Sequence, residues 1–153
     1  MRLIAIGRLR PGPEATLFDR YASRLQPRLL VQELAEGAGA VAEAKRREGA
    51  ALLAAVPPGA VLVALDQGGL AADSSGLARL LNRWAGRACF VVGGADGLDA
   101  QVPAAAAHVL SLGPLTWPHM LVRVLLAEQL YRAQCIQSGH PYHRPGRPKM
   151  GRP

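Results

Sequence analysis

The chain has 153 residues, half of them apolar and 19% charged, with a formal net charge of +7. This length and composition exclude a disordered segment and predict one globular domain around a single sizeable core. The cationic excess predicts a polyanionic partner, and Arg123 and Glu128 interrupt the longest apolar run before it nears the roughly 20 residues of a membrane helix.

Arg2-Leu3-Ile4-Ala5-Ile6-Gly7 is a short apolar run closed by glycine, the pattern of a strand buried on both faces. Arg8 to Pro13 form a basic turn. From Glu14 onward Leu17, Phe18, Tyr21, Ala22 and Leu25 recur at helical spacing. Leu29 to Leu34 predict a second strand. Ala40 to Val56, rich in Ala, Glu, Lys and Arg, predict a second helix stopped by Pro57-Pro58-Gly59. A third strand covers Ala60 to Leu65 and ends at Asp66-Gln67-Gly68-Gly69. Asp73-Ser74-Ser75 can cap a third helix bearing Leu77, Leu80, Leu81 and Trp84. Ala88 to Val92 predict a fourth strand running into Gly93-Gly94-Ala95-Asp96-Gly97-Leu98. An alanine-rich helical turn over Val102 to Ala107 precedes a short fifth strand, Val109 to Leu112. The final helix takes Pro118 into its first turn, where a missing N–H costs nothing, and carries Leu121, Val124, Leu125 and Ile136 as its stripe.

Strand alternating with helix five times predicts an α/β fold, a mostly parallel sheet with helices on both faces. Such sheets bind ligands outside the carboxyl ends of their strands. That rule selects the end after Leu65, the turn at Gly93-Gly94 and the loop from Leu112 to Trp117. The glycine turn is neither G-x-G-x-x-G nor a P-loop, so on spacing alone it reads first as a tight turn and only second as a ligand turn. His108, His119, His140 and His143 lack ligand spacing, so no metal site is expected, and His119 reads as a polar helix-start residue. No G-x-S-x-G elbow supports hydrolysis. Cys89 and Cys135 lie in apolar runs without C-x-x-C spacing, and Met1 to Ile6 carry no cleavage signature; together these predict buried reduced thiols in a cytoplasmic protein.

The last helix is apolar nearly all round, which predicts burial on two sides and hence a homodimer. Glu128 and Arg132, four apart, read as a surface ion pair. Beyond the helix, His140, His143, Arg144, Arg147, Lys149 and Arg152 surround Tyr142 with no acid among them. Cations of this kind neutralise phosphates, and an aromatic between them can stack on an unpaired base, so an RNA contact is expected at Tyr142, His143, Arg144 and Arg147.

Several blocks together resemble one family. Phe90 to Leu98, Ser111 to His119, Arg123 to Ala133 and Pro141-Tyr142-His143-Arg144, supported by Leu65-Asp66 with Gly69 and by Tyr21 with Arg24-Leu25, look like the RlmH family. These are the ribosomal large-subunit pseudouridine N3-methyltransferases of the SPOUT class. The resemblance spans Met1 to Arg144 and leaves residues 145–153 as a basic, Pro/Gly-rich tail outside a single domain of residues 1–144. It implies a C-terminal trefoil knot and S-adenosylmethionine bound by Leu65, Gly94 and the loop Leu112, Gly113, Pro114, Leu115, Thr116, Trp117 and Pro118, without a metal. It also implies a homodimer acting on a pseudouridine of 23S rRNA in the ribosome, with no membrane partner. His143 and Arg144 would position the base, or His143 would take the N3 proton, a task suited to imidazole.

The chain departs from the family pattern at Gly113, usually Ser, at Trp117, often a small aliphatic residue, and at Leu70, often Lys. Two alternatives stay open at the level of sequence: a ribosome-binding protein that kept the fold and lost turnover, and a knotted methyltransferase acting on tRNA.

Overall fold

In the computed structural model, which describes residues 1–144, strands and helices alternate from end to end. The strands are β1 (Arg2–Ile6), β2 (Leu30–Leu34), β3 (Val61–Ala71), β4 (Ala88–Val92) and β5 (His108–Ser111). The helices are α1 (Pro13–Ala22), α2 (Val41–Ala55), α3 (Ser74–Trp84), α4 (Gln101–Ala105) and α5 (His119–Gln137). The sheet order is β2-β1-β4-β3-β5 and each pairing is parallel. The mostly parallel α/β expectation is therefore met.

Side-chain alternation along each strand divides the core in two. Leu3, Ala5, Val63, Leu65, Phe90 and Val92 face α1, α3 and α5. Ile4, Ile6, Leu62, Ala64, Cys89 and Val91 face α2 and α4, meeting Leu52, Leu98 and Val102. The near-continuous apolar runs of β1 and β4 follow from this, because a strand covered on both sides has no face left for polar residues. Trp84 anchors the first layer, edge-on to Phe90 with ring centroids 6.2 Å apart. Asp73 caps α3 as expected, its carboxylate accepting from the Gly76 N–H at 2.6 Å. Both cysteines are free and buried.

The main differences from the sequence reading lie in β3 and α5. β3 does not stop at Leu65; it runs to Ala71, with a register irregularity that lets both Leu65 and Leu70 pair with Leu110. Gly69 permits this return, since a Cβ there would sit 2.7 Å from the backbone carbons of Val109 and Leu110. Pro118 is the N-cap of α5 rather than a member of its first turn. The apolar stripe of α5 is also displaced. Its buried residues are Val124, Leu126, Ala127, Leu130, Ala133 and Cys135, whereas Leu121, Leu125 and Ile136 are half-buried. A helix that is apolar all round carries no periodicity from which to choose its inner face.

The largest departure is Arg123, read from sequence as an interruption of an apolar helix and found 1% exposed. Its Nη1 donates to Glu33 Oε1 at 3.0 Å, and its Nη2 donates to the carbonyls of Ile6 and Gly7, the latter at 2.9 Å. A guanidinium has enough fixed donors to serve the end of β1 and a β2 carboxylate together. Burial pulls its pKa below the ordinary value, and Glu33 draws it back. Among the described residues no helix is long and apolar enough to cross a membrane.

Arg123→Ala leaves two backbone carbonyls and Glu33 without their donor. In urea titrations it is expected to cost about 3 kcal/mol or more, whereas Glu33→Gln, at a side chain 30% exposed, costs clearly less. Equal losses would show that the ion pair rather than the carbonyl contacts holds the helix. Asp73→Ala removes the α3 cap and is expected to cost about 1 kcal/mol; no change in midpoint would count against the cap.

Candidate functional site

Because β4, β3 and β5 are neighbours and parallel, their carboxyl ends open on the same edge of the sheet. The segments leaving them, with the first turn of α5, enclose a cavity of about 760 Å³. Leu65, Gly94, Leu112, Gly113, Leu115, Thr116, Trp117 and Pro118 all line it. Pro114 does not, but its carbonyl accepts a hydrogen bond from Gln67 Nε2 at 2.6 Å, which ties the loop to the end of β3. The three places chosen by the strand-end rule thus converge on one cavity.

The turns that line the cavity are held by their own short-range hydrogen bonds. The Gly97 N–H donates to the Gly94 carbonyl at 3.1 Å, so Gly93 to Leu98 form a tight turn that also faces the cavity. The two readings of that glycine stretch are compatible. In the next loop Ser111 Oγ accepts from the Gly113 N–H at 3.1 Å and donates to the Gly113 carbonyl at 2.9 Å. Gly113 has φ of +110°, a conformation that side chains rarely adopt and that glycine takes without strain. Trp117 is 38% exposed at the rim.

Among the cavity residues to which the sequence reading gave no role are Gln67 and His119. Gln67, placed by the sequence at the end of the third strand, bridges two walls. His119, read as a helix-start residue, lines the cavity, and its Nε2 is buried without a hydrogen-bond partner. Burial, reinforced by Arg123, lowers its pKa, with Glu36 and Glu48 opposing in part. Its position one turn before Arg123 could have flagged it only if the burial of Arg123 were known.

The basic aromatic end lies elsewhere. After α5 the chain turns at Gly139, and Tyr142 folds back along the helix, its hydroxyl donating to Glu128 Oε1 at 2.9 Å. Its ring meets Tyr131 edge-on, with centroids 4.9 Å apart, and Arg132 lies over it at 4.8 Å. His143 is half-buried with Nδ1 unpaired, and Arg144 is exposed. None of the three lines the cavity of its own chain. The structure therefore assembles the loops but does not bring Tyr142, His143 and Arg144 to them. Arg147 and the tail 145–153 lie outside the described residues. Among the described residues no three His, Cys, Asp or Glu side chains are grouped to hold a metal ion.

A family model described as "Predicted SPOUT methyltransferase" matches residues 1–143. A protein of Gluconacetobacter diazotrophicus named Ribosomal RNA large subunit methyltransferase H is 64% identical over 151 residues, covering 97% of this chain and 99% of that one. The protein of the same name from Acidiphilium cryptum is 54% identical over 151 residues, covering 97% and 96%. Among solved structures, a probable methylase family protein from Haemophilus influenzae Rd KW20 shares the fold, with a TM-score of 0.58 at 13% identity over 97% of this chain and 72% of that one. The chain belongs to the SPOUT methyltransferases and, among them, to the RlmH family.

Proposed function

We propose that this protein is an S-adenosylmethionine-dependent methyltransferase that modifies N3 of a pseudouridine in 23S rRNA of the large ribosomal subunit, working as a cytoplasmic homodimer. The observation that carries the reading is the convergence of three strand-end loops on one cavity in a chain of the RlmH family. Its volume lies within the roughly 300–1,000 Å³ range of small-molecule sites. Apolar side chains (Leu65, Leu112, Leu115 and Trp117) and backbone N–H and C=O groups suit a flat heterocycle with a hydrogen-bonding edge. The residues present therefore fit the methyl donor.

When bound, the donor supplies an electrophilic sulfonium methyl, and transfer breaks the S–CH₃ bond, forms a C–N3 bond and releases the N3 proton, leaving a neutral thioether. The task of Leu65, Gly94 and the loop Leu112 to Pro118 is to hold the donor rigidly, with the Gln67–Pro114 hydrogen bond keeping two of the walls in register. His143 and Arg144 position the base, with His143 the candidate acceptor for the proton. Since neither reaches the cavity of its own chain, a second copy that brings its Pro-Tyr-His-Arg motif to this cavity completes the site. The trefoil knot, a single domain over residues 1–144 and a further phosphate contact from Arg147 belong to the same proposal.

The decisive experiment offers labelled methyl donor with ribosomes lacking the modification, separated large subunits, bare rRNA or bulk tRNA, and identifies the modified nucleoside by mass. Label is expected as N3-methylpseudouridine in large-subunit rRNA; label confined to tRNA, or none anywhere, would overturn the assignment. Replacing His143 by Ala is expected to slow transfer at least about 100-fold while the donor still binds. The composite site has its own check. A cavity-filled variant, Thr116→Trp, and His143→Ala should each be inactive alone and regain activity when mixed and allowed to exchange subunits. Persistent inactivity of the mixture would place both halves of the site in one chain.

A further inference from the structure

Glu128 and Arg132 read from sequence as a surface ion pair, a class that contributes little, but their setting is different. The two side chains are 16% and 26% exposed, and both oxygens of the Glu128 carboxylate accept hydrogen bonds. Its Oε1 accepts from Tyr142 and from Arg132, and its Oε2 accepts from Gln129 Nε2 at 2.7 Å. Tyr142 is held through its hydroxyl, through its ring edge by Tyr131 and through its ring face by Arg132. Burial and the adjacent carboxylate hold its phenol well above the ordinary pKa, so it remains a donor. A residue fixed at three points fixes its neighbours, and the next two are His143 and Arg144.

We propose that Glu128 is a positioning residue for the substrate: through Tyr142 it sets the direction in which His143 and Arg144 leave α5, and Tyr142 serves as the anchor of that turn rather than as a platform for an RNA base. The inference rests on the proposed function. It assigns the recognition of the target nucleotide to the two residues after the anchor, and it makes a carboxylate outside the cavity necessary for efficient transfer. Without the anchor, His143 and Arg144 sample many orientations on a short tether, and misplacement by about 1 Å can cost on the order of 100-fold in rate.

The test is a double-mutant cycle on methyl transfer to ribosomes, with donor affinity measured alongside. Tyr142→Phe and Glu128→Ala are each expected to lower kcat/KM about tenfold, the scale of one well-placed hydrogen bond. The double variant should fall no further, because both changes break the same link. Glu128→Gln should retain most of the activity, since its amide oxygen still accepts from the Tyr142 hydroxyl, and donor affinity should stay constant throughout. Losses that multiply to about 100-fold, wild-type transfer by Tyr142→Phe, or a parallel drop in donor affinity would each overturn the proposal. A second measurement does not depend on activity: chymotrypsin cleavage after Tyr142 should accelerate in Glu128→Ala and not in Glu128→Gln. If the wild type transfers no methyl to ribosomes, the functional reading fails while cleavage still decides whether Glu128 holds the turn, and equal cleavage in all variants would overturn the anchor.

Discussion

Among the described residues Arg123 is the only charged side chain that is buried, and the geometry of the cavity depends on it. The carbonyls of Ile6 and Gly7 mark where β1 leaves the sheet, and β1 lies beside β4, whose exit is the glycine turn of the cavity. By gripping those carbonyls from one turn inside α5, the guanidinium fixes the start of the helix against the strand ends. His119 and the loop Leu112 to Pro118 are placed as a result. A hydrophobic contact could have buried the helix, but it lacks the direction of three hydrogen bonds. Removing the charge would also leave two β1 carbonyls without a partner in the interior, which is why the interaction cannot be traded for a simple apolar one without repacking.

The sheet gives this grip something rigid to hold. β1, β3 and β4 are covered on both faces, so their alternating side chains lock each strand in register, and a slip by one residue would exchange the two cores. Function is then concentrated where regular structure stops. Backbone groups at the ends of parallel strands have lost their ladder partners and are available to a ligand. The cavity of this chain lies at such ends, where β3, β4 and β5 stop.

Much of this was legible in the sequence, for reasons that separate local from distant information. β4 was delimited to the residue, because a run of apolar residues between glycine and arginine turns has a single solution. The cavity followed from a topological rule, since parallel strands must end on the same side. The inner face of α5 was not legible, because its sequence is apolar around the whole circumference. Arg123 could not be distinguished from a solvent-facing break in that helix: its partners at residues 6, 7 and 33 are about 90 or more positions away. Gly69 was placed beyond the third strand because the contact that demands it, with the backbone of Val109 and Leu110, is likewise remote in sequence. The Pro-Tyr-His-Arg block stood out as a motif, but no local pattern could say that it folds back onto Glu128.

The hydrogen bond from Gln67 to the Pro114 carbonyl has a kinetic meaning. A loop of seven residues between a strand and a helix would ordinarily behave as a hinged flap, opening and closing independently of the sheet. Here its middle is latched to the bulged end of β3, and Ser111 stiffens its root. Displacing the loop alone therefore breaks the Gln67 contact, which couples the loop to the bulge. Swinging the loop out as a separate flap would first have to break that hydrogen bond.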